Sequence, residues 1–189
     1  MASQAWVDIL VGGPLTPTIT DGPTLTGASA ASCIPTASKI TLPNNFWIPG
    51  KVLRIFMMGR ISCVVTTPGT ARFDVRMGSV VAFDTGALNL NVVAKTNVPW
   101  WLDIKLTCRT IGSGTATTLF GLANFTSEAI VGSPANTAGS NATLLAPVGA
   151  PVVGTGFDNT AANTLDMFFT QTVSTGSMTV HQYIVEAIG

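Results

Sequence analysis

Residues 98–112 read VPWWLDIKLTCRTIG, and their parity decides the fold. Trp100, Leu102, Ile104, Leu106 and Cys108 fall on one side, while Trp101, Asp103, Lys105, Thr107 and Arg109 fall on the other. This period-2 alternation is the signature of a half-buried strand in an antiparallel sheet. One face is apolar and the other carries charges of alternating sign, whereas a helix would scatter the same residues around its circumference. The stretch is therefore read as the central strand against which the rest of the chain packs.

Similar alternation recurs on both sides of it. Residues 51–67 read as the longest strand, with Leu53, Ile55, Met57, Gly59, Ile61, Cys63 and Val65 on one unbroken parity. Gly59 marks a place where that strand could bend between two sheets. The Thr67-Pro68-Gly69 turn leads into residues 70–77, where Ala71, Phe73, Val75 and Met77 point in, so the pair reads as a hairpin. Two short strands flank Asp84-Thr85-Gly86, and residues 115–126 alternate more weakly. Residues 163–173 and 177–188 read as a closing hairpin around Ser174-Thr175-Gly176. Residues 42–50, LPNNFWIPG, read as a turn region with two prolines, and its Phe46 and Trp47 are read as a plug at one end of the barrel, the alternative being an exposed binding aromatic.

About eight to ten short strands, with turn signals every 8 to 15 residues and no convincing helix, predict an all-β, jelly-roll-like antiparallel sandwich or barrel. An immunoglobulin-like sandwich is the second choice, disfavoured because its seven strands need only ~100 residues and because a Cys–Trp–Cys spacing is absent. The 189 residues suit a single β domain over 1–189. Residues 1–25, with many Thr residues and two prolines in 15–25, read as an extended N-terminal arm. Residues 128–156, rich in Gly, Ala, Ser, Asn and Pro, read as a long loop in which Leu144 and Leu145 mark a short strand.

Composition narrows the function. Charged residues make up 10% of the chain and hydrophobic residues 47%, against roughly a quarter charged in an ordinary domain. Thr, Ser, Asn and Gly take the place of charge, which gives a neutral, hydroxyl-rich surface that tolerates packing against copies of itself. Zero net charge argues against a general nucleic-acid binder. All nine basic residues lie between Lys39 and Arg109, against the five acids Asp8, Asp21, Asp74, Asp84 and Asp103. The remaining chain holds only Glu128, Asp158, Asp166 and Glu186, so the parts sum to +4 and −4. Either the two parts interleave in one domain and the asymmetry means little, or a basic patch faces an acidic patch on a neighbouring copy. Cys33, Cys63 and Cys108 form no CxxC pair and read as buried free thiols. The opening residues lack the basic region of a signal peptide, and no apolar run is long enough for a membrane span.

No catalytic residues, metal ligands or cofactor site are read from the sequence. The single histidine, His181, shares the parity of Thr179 and Tyr183 and reads as a surface or interface residue; no GxSxG, P-loop or GxGxxG accompanies it. The one candidate binding surface is the outward parity of the central strand, with Trp101 beside Asp103 and Arg109 further along. An exposed aromatic flanked by Asp and Arg suits a sugar; the alternative is that a second sheet or a neighbouring subunit covers Trp101.

The segments LPNNFWIPGKVLRIFMMGRIS (42–62), TTPGTARFDVRMGSVVAFDTG (66–86) and KTNVPWWLDIKLTCRTIGSGT (95–115) resemble small, helix-poor virion structural proteins of tailed bacteriophages. The similarity runs from AWVDIL at residue 5 to HQYIVEAI at residue 181. It implies a non-enzymatic capsid decoration or cement protein with a jelly-roll fold, made in the host cytoplasm and placed on the outer head surface. The partners implied are further copies of itself, as a homotrimer, and the major capsid protein, with no nucleic acid or membrane. The second reading is a jelly-roll module of a tail or fibre that binds host carbohydrate.

Overall fold

The computed structural model describes residues 6–13, 17–64, 67–130 and 142–189. It contains twelve strands in these residues: β1 (Val7–Val11), β2 (Ala31–Ser32), β3 (Ile40–Leu42), β4 (Val52–Cys63), β5 (Thr70–Met77), β6 (Val80–Asp84), β7 (Leu88–Asn89), β8 (Lys95–Thr110), β9 (Thr118–Ser127), β10 (Ala142–Ala146), β11 (Asn163–Gln171) and β12 (Ser177–Ile188). One 3-10 turn, Thr36–Ser38, is the only helical element among them. The strand count exceeds the expected eight to ten because β2, β3 and β7 are only two or three residues long.

Two antiparallel sheets form a sandwich. The β8 sheet has the order β1-β12-β4-β8-β9-β10, and the β5 sheet has the order β2-β11-β5-β6, with β3 on β11 and β7 on β5. Pairing runs from the outside in: β1 with β12, β2 with β11, β4 with β8 and β5 with β6, alternating between the sheets. This is the connectivity of one long antiparallel ribbon rolled up, the jelly roll.

The roll corrects two readings. Residues 51–67 and 70–77 do not form a hairpin, because β4 lies in the β8 sheet and β5 in the β5 sheet. The same holds for β11 and β12. A turn between two alternating strands looks the same in sequence whether the strands pair side by side or face each other across the core. Here they face each other, so the apolar parities meet across the sandwich.

β8 is the longest strand, with sixteen residues against twelve in β4. It continues through Pro99, which the sequence places in the lead-in. The Pro99 carbonyl accepts a hydrogen bond from Ser127 Oγ at 3.0 Å, and Ser127, paired with Trp100, is the last residue of β9. In an antiparallel strand a residue's N and O point to the same side, so the missing N–H of Pro99 faces beyond the end of the β9 ladder and breaks no bond.

The inward side chains form one core. Trp100, Leu102, Ile104, Leu106 and Cys108 of β8 are all buried, as alternation predicts. At its centre the Phe73 ring of β5 lies 5.2 Å from Trp100, 5.4 Å from Phe125 and 5.2 Å from Phe169, all in tilted geometry. Phe73 thereby joins β8 and β9 of one sheet to β5 and β11 of the other. Trp47 caps one end of the sandwich and is 1% exposed. Asn159 clamps it through two 3.0 Å bonds: the Trp47 amide donates to Asn159 Oδ1, and Asn159 Nδ2 donates to the Trp47 carbonyl.

The charge asymmetry dissolves in the fold. Lys39 pairs with Asp166 at 2.6 Å, Arg54 with Glu186 at 3.5 Å and Lys95 with Glu128 at 3.5 Å, so three of the four late acids neutralise early bases within one chain. Interleaving of strands from both parts produces this, as the first of the two readings expected.

Of the proposed arm, the described residues run along β12. β1 pairs with its end, and the Gly22 and Leu25 amides donate to Val180 and Met178 carbonyls, each at 2.8 Å. Within the expected long loop, residues 142–146 form β10 on β9, with Leu144 and Leu145 inside it; residues 131–141 lie outside the described residues.

Phe73→Ala is expected to lower unfolding free energy by about 3–5 kcal/mol, because it removes the ring on which both sheets close. Lys105→Ala, on the exposed side of β8, should stay within about 0.5 kcal/mol of wild type. Urea unfolding followed by tryptophan fluorescence checks both values.

Candidate functional site

The outward side chains of the β8 sheet are held in register, so each position on β8 has a defined neighbour on β4 and β9. Trp101 pairs with Met58 and Thr126, and Met58 pairs with Gln182. Gln182, Met58, Trp101 and Thr126 thus form one row across four strands. Trp101 is 37% exposed and its ring rests against Phe56 at 5.9 Å.

Asp103 is on the same face but is already engaged. Arg54 Nε and Nη2 donate to its two carboxylate oxygens at 3.0 and 3.1 Å, and Arg54 reaches Glu186 with Nη1 at 3.5 Å. The hydrogen bond to Asp103 is the main cause holding the Arg54 guanidinium above its ordinary pKa. The cluster ties β8, β4 and β12 together rather than offering a free carboxylate. Arg109 stacks its guanidinium 4.8 Å over the Phe120 ring. Eight residues of strand separate it from Trp101, about 26 Å at a rise of roughly 3.3 Å each. The three sequence-predicted residues share a face but do not form one site.

What surrounds Trp101 instead is a trough of about 390 Å³ lined by Met58, Gly59, Pro99, Trp101, Thr126, His181 and Gln182, with the Trp100 main chain among them. Gly59 and His181 explain its shape. The β12–β4 register slips between Val180 and Gln182, which leaves His181 as the extra residue of a bulge. The bulge presses the β12 backbone onto Gly59, where an added Cβ would lie 1.9 Å from the Thr179 carbonyl oxygen. Gly59 is therefore required for close approach and does not mark a bend between sheets, since β4 stays in one sheet throughout.

The bulge also corrects the parity of His181. Tyr183 is buried while His181 is half-buried and Gln182 exposed, so His181 does not share Tyr183's inward side. Its Nδ1 lies 2.9 Å from Asp21 Oδ1 on the preceding N-terminal segment. Among the described residues no hydroxyl or thiol hydrogen-bonds to the imidazole, and no group of three or more His, Cys, Asp or Glu side chains is placed to hold a metal ion. The sequence signal for this trough is slight. Trp101 on the outward parity is its one mark in the sequence, because a bulge leaves no trace in composition.

The three cysteines are free and buried. Each thiol donates to a backbone carbonyl: Cys33 to Met167 at 3.3 Å, Cys63 to Asn91 at 3.5 Å and Cys108 to Thr110 at 3.4 Å. Burial pushes all three thiols above their usual pKa.

A second feature lies at the two open edges of the β8 sheet. Trp6, Val7 and Ile9 are exposed along β1, and Leu122, Leu145, Val148, Val152 and Val153 are exposed on β9, β10 and the segment that follows. Leu145 is 77% exposed on a strand, Ala142–Ala146, that carries no charge or proline. That segment closes the side of the sandwich: the Val148 amide donates to Thr85 and the Gly154 amide to Leu119, each at 2.8 Å. No helix among the described residues is long and apolar enough to cross a membrane.

The chain matches no known protein family and no curated protein.

Raised thiol pKa values keep the cysteines protonated at pH 8, and burial keeps them from reagent. An aromatic disulfide reagent should modify none of the three within minutes in the folded protein and all three in urea, read by absorbance of the released thiolate.

Proposed function

We propose that this protein is a non-enzymatic virion structural protein, a decoration or cement protein on the outer head surface of a tailed bacteriophage, acting as a homotrimer on the major capsid protein. The observation that carries the reading is that eight of the fourteen exposed large apolar side chains among the described residues lie at or beside the two open edges of one sheet. Soluble monomers scatter such residues or guard their edges with lysine, proline or short strands. Here Trp6, Val7 and Ile9 stand at one edge and Leu122, Leu145, Val148, Val152 and Val153 at the other.

Two different patches on opposite edges suit a heterologous contact, in which one edge of a copy meets the other edge of the next. Such contacts close into a ring when the rotation allows, and three copies is the ring the resemblance implies. Charge has little part in it, because the ion pairs described above are satisfied within the chain. A low-charge, hydroxyl-rich shell adds solubility without repulsion between copies.

The test is the solution mass of the full chain by light scattering, together with its co-sedimentation with capsids that lack it. A trimer is expected, with the same mass in low salt and in 1 M NaCl, where screening removes surface electrostatics. Leu145→Asp should convert the trimer to monomer and reduce capsid binding without changing the circular dichroism spectrum. A monomer that ignores capsids would overturn the reading.

A further inference from the structure

The trough beside Trp101 has the properties of a ligand site, and we infer that it binds a neutral saccharide of one or two pyranose rings. Its volume of about 390 Å³ lies at the small end of the ~300–1,000 Å³ range of small-molecule sites. Its position on the outer face, away from the apolar edges, leaves it open in the edge-to-edge assembly proposed above, but the inference rests on neither the oligomer nor the virion placement.

Three features select the chemistry. Trp101 supplies an exposed indole braced by Phe56, so an aromatic surface is presented with little freedom left to lose on binding. The C–H face of a pyranose is the complement of such a surface. Next, the floor is backbone. Gly59 pairs with inward-facing Trp100, so what both show on the outer face, between the Met58–Trp101 and Arg60–Pro99 pairs, is main chain, and the depression is built into the sheet. Finally, the polar groups at the rim are an amide, a hydroxyl and an imidazole. Gln182 offers both donors and an acceptor, Thr126 offers a hydroxyl, and His181 has Nδ1 committed to Asp21, which leaves Nε2 for a ligand. No Asp, Glu, Lys or Arg lines the trough; Asp21 stands behind it, paired with His181, and Asp103 on the β8 face is paired with Arg54. A neutral, hydroxylated ligand with one apolar face satisfies all of these. The site differs from the sugar surface expected from sequence, since it keeps Trp101 but replaces Asp103 and Arg109 with Gly59, His181 and Gln182.

Saturation-transfer NMR on the full-length protein, with the methyl glycosides of glucose, galactose, mannose and N-acetylglucosamine as probes, tests the inference. At least one glycoside should receive magnetisation. Trp101→Ala should weaken its binding about tenfold, equivalent to about 1.4 kcal/mol. Trp101→Phe should retain part of it, which separates loss of stacking from loss of fold. Gln182→Ala should weaken it several-fold, and Trp6→Ala, on the distant β1 edge, should leave it unchanged. Absence of transfer to all four glycosides would overturn the inference. So would binding that survives Trp101→Ala, or binding confined to sialylated or sulfated glycans.

Discussion

The aromatic contact between the two sheets is what the remaining structure depends on. Phe73 reaches across the sandwich into the angle formed by Trp100, Phe125 and Phe169. Aromatic rings bury more area per residue than aliphatic side chains and favour tilted arrangements. One ring can therefore fix both the spacing of the sheets and the registration of β5 against β8. With the inner faces set in this way, the outward parity of β8 is also set: Trp101, Lys105 and Arg109 face solvent, and Asp103 lies on the same side against Arg54.

Two consequences of sheet construction then divide the outer surface by function. In the middle of the β8 sheet, Arg54 and its two carboxylates bind three strands together and leave that region electrically quiet. At the end of the sheet where β12 bulges, the backbone itself is exposed as the floor of a concavity. At the lateral edges, β1 with a single acid and β10 with neither charge nor proline leave apolar side chains uncovered. A single irregularity, one extra residue in β12, separates a flat sheet face from a pocket.

Much of the fold was legible because alternation is a direct record of burial. The inward residues of β4, β5, β8 and β11 could be read off by parity, and the burial of Cys63 and Cys108 followed from it. What could not be read was which strands pair. β4–β5 and β11–β12 carry the same turn residues as true hairpins, and only the long-range partners of each strand reveal an arch between sheets. The site was legible only at Trp101. Asp103 has the right residue type and position, but its capture by Arg54 depends on a strand 49 positions away in the chain. His181 reads as a surface or interface residue and is half-buried beside Asp21, but its shared parity with Tyr183 fails because parity counting assumes an unbroken ladder.

The nesting of strand pairs has a bearing on how the chain reaches this state. β1 is bonded to β12 and β2 to β11, so the first strands made by the ribosome acquire their partners from the last. The inner pair, β5 with β6, is local and can form as soon as it emerges, and β4 with β8 can follow. The N-terminal strand must wait, unpaired, for the final dozen residues. Closure of the outermost pair spans almost the entire chain, which places folding among the slow β topologies, roughly milliseconds to seconds. During that interval the uncovered β1 edge is open to capture by another newly made chain.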